Sequence, residues 1–523
     1  MPDDRSSARR TVAAYSLGLL LLAAVLYGTH IVRGGFAWDD WQNAATTRFQ
    51  DQARFLGPFN VREAAYEPGL ALALPLPYLA FGLNPAWYLA LATVLAVAMS
   101  VCLFSLLREL GVEHAAAGAV AALALVFPWS DSTRLWETAG ANQLAACFYL
   151  LGATLALRGL RAAQPIARRL ERASLALYLA SMLTYPIAIP AVTLSGLLYR
   201  LRLPWRQAWR RGRREALAAL AVGSYIAAST TKRIQPPAHE LRHGLTILSE
   251  SLTLVAHGVS PIAAIPRNDV LGAACAVALL ATGFAVSHSR RGDIAGAAAL
   301  HRWIAMAGFG VGAALVAYAP LIPAAPKYSP LAAGLYNRVG LLAGPAVAAA
   351  VVGLVGATVE LALGRSCSQQ IKLLATVLLA ACVFIGWAQR VHTDASNWDR
   401  AAEQSRALLG TIERQLPRLP HGSTIITVGH PQYEAAGIPV FASLFDLANA
   451  VRVTRRDRTL NAYPLFGPLL CTADAATSGR PRYRTLERAG YGRLYVIDIP
   501  QKHALSIRSE RDCRRARALF DLD

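Results

Sequence analysis

Acidic residues are scarce in this chain of 523 residues: 32 Asp and Glu stand against 52 Lys and Arg, giving a formal charge of +20. Charged residues of both signs make up only 16% of the total while hydrophobic ones reach 54%, a balance displaced from soluble proteins toward membrane proteins. Lysine is nearly absent, at 4 of the 52 basic residues, and the arginine excess reads as the coding bias of a GC-rich genome, without functional weight. In a soluble protein such a charge would suggest nucleic acid. Here much of it lies in short loops between apolar runs, where it sets membrane orientation, so nucleic acid is not an expected partner.

Cysteine is sparse too, and none of the seven stands in a CxxC or another metal-ligand spacing. Cys102, Cys147, Cys275, Cys367 and Cys382 lie in or beside apolar runs and are expected to pack there. Cys471 and Cys513 fall in the polar C-terminal part, where an oxidising compartment would allow a disulfide; paired and unpaired states are both open. His239, His243 and His257 lack a zinc-type spacing. There is no internal repeat of the kind transporters show, and Glu360 is the rare acid within an apolar run. These two absences weigh against a lipid or glycan transporter or flippase. A non-catalytic scaffold with an outside binding domain remains as a second alternative to an enzyme.

What the chain has is a succession of long apolar runs. The first, residues 12–32, follows Arg5, Arg9 and Arg10; it is too long for a signal-peptide core and lacks a small-x-small cleavage site. It reads as an uncleaved anchor with the N-terminus in the cytoplasm. Residues 70–81 are short for a crossing, and letting them cross would put Arg158, Arg161, Arg168, Arg169 and Arg172 outside, against the positive-inside rule. They are therefore expected to stay outside. Spans at 86–107, 115–129, 142–158, 173–184, 186–199, 215–231, 270–287, 303–322, 338–362 and 373–388 bring the total to about 11. Tyr185-Pro186 and Pro190 interrupt one apolar run, as a turn or as a kink, and the count takes the turn.

From residue 389 the chain turns polar, with helical spacing over Ser396 to Leu416 and short buried strands at 424–428 and 494–499. The expected fold is an all-α polytopic membrane module over residues 1–388, followed by a small extracytoplasmic α/β domain over 389–523.

The chemically specific stretch is Trp38-Asp39-Asp40-Trp41, just beyond the first span. Adjacent residues point in different directions on a helix or a strand, so one aspartate would face a cavity while the other binds a metal or caps a helix. The plain alternative is a solvated pair or a helix N-cap between interfacial tryptophans. Glu67, before Pro68, offers a second carboxylate at the same surface, or a partner for a helix dipole. Asp131, Arg134, Trp136 and Glu137 form a polar cluster directly after a span. Cations in outside loops able to meet a phosphate are Arg134, Lys232, Arg233, Arg242, Lys327 and Arg338. Arg338 opens an apolar run, where its charge needs a partner or must reach the interface.

A first span, an outside acidic pair, a Glu-Pro helix that stays outside, an arm ending Phe81-Gly82, a span ending Leu106-Leu107-Arg108-Glu109-Leu110-Gly111, and then Ala117 to Pro128 follow in order. This order resembles the N-terminal module of GT-C glycosyltransferases, in the bacterial branch related to protein mannosyltransferases and lipid A aminoarabinose transferases. The resemblance implies a GT-C-like helical fold in the bacterial plasma (inner) membrane. It also implies transfer of a sugar from a polyprenyl-phosphate donor to a glycan, lipid or protein acceptor on the outer face. One aspartate of the Asp39-Asp40 pair would be the base, Asp40 being narrowly preferred, and substrate would be held by Glu67, Arg134, Glu137, Lys327 and Arg338. A polyprenyl phosphate leaves as a stable anion, so displacement at the sugar carbon needs only one base plus cations for the phosphate. No cofactor is required by that chemistry, and participation of a divalent cation is left open. Convergence of Asp39, Asp40, Glu67 and Arg338 on one cavity would favour an enzyme over a scaffold.

Overall fold

The computed structural model describes residues 3–49, 67–229, 237–259, 294–364, 367–478 and 488–522. Helix α1 (Asp3–Arg33) carries the first apolar run, and α2 (Asp39–Phe49) opens with both aspartates in its first turn, where carboxylates complement the helix dipole. The segment 67–81 forms two short helices, α3 (Pro68–Ala73) and α4 (Pro75–Phe81), each opening at a proline that fits the first turn of a helix and forbids an earlier start. Asn84 caps α5 (Pro85–Glu109) by accepting the Ala86 N–H at 3.2 Å.

After α6 (His114–Leu125) the chain makes three tight turns: a 3₁₀ turn at Pro128–Ser130, α7 (Ser132–Leu135) and α8 (Glu137–Gly140). There follow α9 (Gln143–Gly159), α10 (Gln164–Thr184), α11 (Ile189–Thr193), α12 (Ser195–Arg200), α13 (Trp205–Ser229) and α14 (Pro237–Val259). The bundle ends with α15 (Ile294–Tyr318), α16 (Ala343–Leu363) and α17 (Gln369–Gln415).

Among the described residues, six helical stretches are long and apolar enough to cross a membrane: Arg10–Arg33, Pro85–Glu109, Glu137–Gly159, Ala298–Leu321, Ala343–Leu363 and Gln369–Gln415. Six of the eleven expected spans thus meet that criterion. The expected span at 270–287 lies outside the described residues, as do Lys232 and Arg233. That at 115–129 is a helix of only 12 residues, because Pro128 and the turns behind it end the helix early. The expected span at 338–362 starts later, since Gly334–Gly340 is a 3₁₀ turn and the α-helix begins at Ala343. At Tyr185 the backbone is extended, and the chain then reverses: the Tyr199 hydroxyl donates to Glu215 at 2.9 Å with Tyr178 beside it. The proline pair is therefore a turn.

Helices α15 and α16 meet through small residues. A Cβ on Gly310 would stand 2.5 Å from the Ala350 nitrogen, and one on Gly353 would stand 2.6 Å from that of Ala307, so glycine permits the close backbone approach.

Helix α17 holds 47 residues and passes through positions 388 and 389 without a break, so the bundle and the C-terminal domain share it. Beyond it come β1 (Thr424–Val428), β2 (Tyr433–Ala435), β3 (Ile438–Pro439), α18 (Leu444–Arg455), β4 (Asn461–Pro464), β5 (Leu469–Cys471), β6 (Ala475–Ser478), β7 (Ala489–Gly490), β8 (Leu494–Asp498), β9 (His503–Ile507) and α19 (Glu510–Leu519). The main sheet has the order β4-β1-β8-β9, with β1 parallel to both β4 and β8 and β9 antiparallel at the edge. The two strands read from sequence are thus the central neighbours of this sheet, buried on both sides as apolar runs require. Cys471 and Cys513 are disulfide-bonded, tying β5 to α19.

The domain rests on the end of the bundle that carries α2. Trp38 meets Phe445 edge to face at 5.2 Å, and the Arg406 guanidinium donates to the carbonyls of Arg33 and Gly34 at 2.9 and 3.0 Å. The Leu335 N–H donates to the Gly437 carbonyl at 2.9 Å. Gly334 and Gly437 both have positive φ, and a Cβ on Gly334 would lie 2.3 Å from the Gly437 carbonyl. The turn that carries Arg338 is thereby clamped to the C-terminal domain.

Candidate active site

Trp38 takes a left-handed φ of 50° before α2 and ends the extended entry from α1, so Asp39 and Asp40 start a new helix at the bundle end. The two carboxylates part there. Asp40 is fully buried: one oxygen accepts the Ala37 N–H at 2.8 Å, and the other accepts the Thr138 N–H at 3.0 Å and the Thr138 hydroxyl at 2.5 Å. Burial pushes its carboxyl above the usual range, and these hydrogen bonds oppose that shift only in part. Asp39 is half-buried and lies within electrostatic reach of Glu137 and of Arg338.

Arg338 stands opposite. Its guanidinium carbon lies 5.2 Å from the centre of the Trp136 ring and 5.6 Å from that of Tyr328, and it donates to the Tyr328 hydroxyl at 3.3 Å and the Leu335 carbonyl at 3.1 Å. Burial acts to lower its pKa, but Tyr185, Tyr328, Asp39 and Glu67 outweigh it and raise the value, holding the charge in place. Trp136 is fixed from behind, its indole N–H donating to the Ala37 carbonyl at 3.2 Å. Lys327 is exposed and stacks its ammonium on Tyr336 at 4.9 Å and Tyr328 at 5.4 Å from the ring centres. Tyr328 therefore joins the two cations into one positive wall. Tyr185, at the proline turn, is coupled electrostatically to both Arg338 and Glu67.

Asp39 and Glu67 thus lie within electrostatic reach of Arg338, and Lys327 joins them through Tyr328, whereas Asp40 is buried against Ala37 and Thr138. Glu137 is also near, but buried, receiving the Tyr78 hydroxyl at 2.5 Å behind the surface. Arg134 goes elsewhere: it is fully buried, donates to the Phe127 carbonyl, and lies electrostatically close to Asp131 and Tyr27. These partners are interior groups, and Asp39, Glu67 and Arg338 are not among them. Arg242 is exposed on α14. Among the described residues no three His, Cys, Asp or Glu side chains come together as a metal site.

Several contributors carried no sequence signal as site residues: Tyr78, Thr138, Tyr185 and Tyr328. Only Tyr328, between Lys327 and the Tyr336-Asn337-Arg338 turn, sits where an aromatic flanked by cations could have been noticed.

Fold and site together define a helical membrane protein with a carboxylate and arginine cluster at the bundle end that a small α/β domain covers. No family model and no curated protein matches the chain. Among solved structures it is similar to ArnT from Cupriavidus metallidurans bound to undecaprenyl phosphate, at 14% identity over 87% of this chain and 86% of that one, with a TM-score of 0.37. The apo state of the same protein is similar at 15% identity over 91% and 97% of the two chains, with a TM-score of 0.39.

Proposed function

We propose that the chain is an integral membrane glycosyltransferase that moves a sugar from a polyprenyl-phosphate donor to a cell-envelope acceptor at the outer face of the bacterial plasma membrane. In this reading the N-terminus is cytoplasmic, residues 1–388 form the membrane module and the C-terminal domain is extracytoplasmic. The observation that carries it is the placement of Asp39 within electrostatic reach of Arg338 at the end of an apolar bundle. A base and a phosphate-binding cation at a membrane surface are what this displacement needs.

Arg338 and Lys327 hold the donor phosphate, and Trp136 and Tyr328 keep the arginine oriented. Asp39 takes the proton of the acceptor hydroxyl as that oxygen attacks the anomeric carbon. The carbon–oxygen bond to phosphate breaks, its electron pair leaves on the phosphate oxygen, and the anomeric configuration inverts. Asp40 has both oxygens committed to α2 and α8, so the base role passes to Asp39, against the narrow preference drawn from sequence. Glu67 orients the acceptor beside Tyr185, and Glu137 supports Tyr78 and the acidic helix from behind.

The test is transfer of radiolabelled sugar from decaprenyl- and undecaprenyl-phosphate donors in membranes at matched expression. Asp39→Asn is expected to lower transfer by about 100-fold or more with the melting temperature unchanged, the usual scale for loss of a general base. Transfer by Asp39→Asn equal to wild type would overturn the assignment.

A further inference from the structure

Helix α2 presents a second face. Asp40 and Asn43, three residues apart, both meet Thr138, with the Asn43 amide donating to its hydroxyl at 3.1 Å. Trp41 and Arg48, seven apart, share another side of the helix and line a cavity of about 300 Å³ between the membrane module and the outer domain. Arg406 of α17 and Arg456 at the end of α18 complete its polar wall, and Phe36 and Leu83 belong to its apolar part.

Among the described residues that line this cavity, three carry guanidinium groups and none is acidic. Arg406 is held by the carbonyls at the end of α1, and Arg48 and Arg456 are exposed. The indole N–H of Trp41 is buried and finds no acceptor among the described residues. Such a wall suits an anion with several acceptor oxygens. The cavity's lower edge, at Leu83 and Pro85, is the start of the α5 span, where Leu79, Leu83 and Trp87 are 57%, 38% and 58% exposed. Large apolar side chains bared at a span's end face acyl chains, so the opening borders the bilayer.

We propose that this cavity is a second anion site, which binds the phosphate headgroup of a membrane lipid and joins the outer domain to the bilayer surface. The inference rests on the membrane placement of the proposed function but not on the transfer reaction.

The full-length protein in detergent, titrated with dioleoyl phosphatidic acid and read by native mass spectrometry, tests it. Wild type should retain this lipid over phosphatidylcholine. Arg48→Ala with Arg456→Ala should weaken retention by about tenfold or more, the scale of two surface charges against an anionic headgroup. The Arg48→Lys, Arg456→Lys pair should restore much of it. Asp39→Asn should leave it unchanged, which separates failure of this site from failure of the transfer reading. Retention by the double alanine variant equal to wild type overturns the site. Displacement by inorganic phosphate at the same concentration as the lipid overturns the lipid as its source.

Discussion

Thr138 donates twice to a single oxygen of Asp40, through its N–H at 3.0 Å and its hydroxyl at 2.5 Å. This pair welds the start of α2 to α8 and makes Asp40 a positioning residue. Asp40→Ala leaves the Ala37 and Thr138 N–H groups without their acceptor in a buried place, at about 1–3 kcal/mol for each orphaned group. The expected outcome is a lower melting temperature in detergent for Asp40→Ala and a smaller drop for Thr138→Val, while Asp39→Asn melts as wild type. A melting temperature for Asp40→Ala equal to wild type would contradict this role.

Arg338 is expected to govern donor binding. Arg338→Ala should raise the KM for a polyprenyl-phosphate sugar by about tenfold or more, since a charge-assisted contact with phosphate is lost. Arg338→Lys keeps the charge but loses the planar fork on Trp136 and Tyr328, so it should fall between the two. Steady-state transfer at varied donor concentration reads this directly, and an unchanged KM in Arg338→Ala would remove the phosphate contact from the mechanism.

Stability should fall as pH rises across the neutral range. The Asp131 carboxyl is pushed from 3.8 to about 8, first by burial and then by the neighbouring Asp394 carboxylate, while the Asn337 amide, at 2.5 Å, and the charge of Arg134 pull the other way. Between these two values the folded chain holds more protons than the unfolded one, so this contribution declines with rising pH and levels off above about 8. Melting temperature in detergent from pH about 5 to about 9 should show the decline, and Asp131→Asn should flatten it. An equal slope in both proteins would refute the assignment.

Several members of the candidate cluster stood out in the sequence because they sit at composition breaks. Asp39 and Asp40 follow an apolar run, Glu67 precedes a proline, and Arg338 precedes a span, so each stands out locally. Which of the two aspartates is fully buried was not legible, because the answer depends on Thr138, nearly a hundred residues away in sequence. The Asp131 and Asp394 contact is invisible for the same reason: periodicity tells which face of a helix is apolar but not which distant helix will meet it. The division expected at 388 and 389 marks where hydropathy falls, and the backbone of α17 has no reason to stop there, since amphipathic spacing takes over from the apolar run within one helix. The sheet of β5, β6 and β7 escaped notice because strands of two to four residues carry too little alternation to register.

The 47 residues of α17 amount to a rod of about 70 Å at 1.5 Å per residue, more than twice the thickness of a hydrocarbon core. One end is sunk in the bundle and the other carries the sheet domain, so the rod can act as a lever between them. A tilt of about 10° would sweep its outer 40 Å or so through about 7 Å at the tip. Gly437 of the domain is clamped to the turn that carries Arg338, and Phe445 of the same domain packs on Trp38 beside Asp39, so such a swing would carry both sides of the cluster together. The long helix is thus the mechanical link between the apolar bundle and both sides of the cluster.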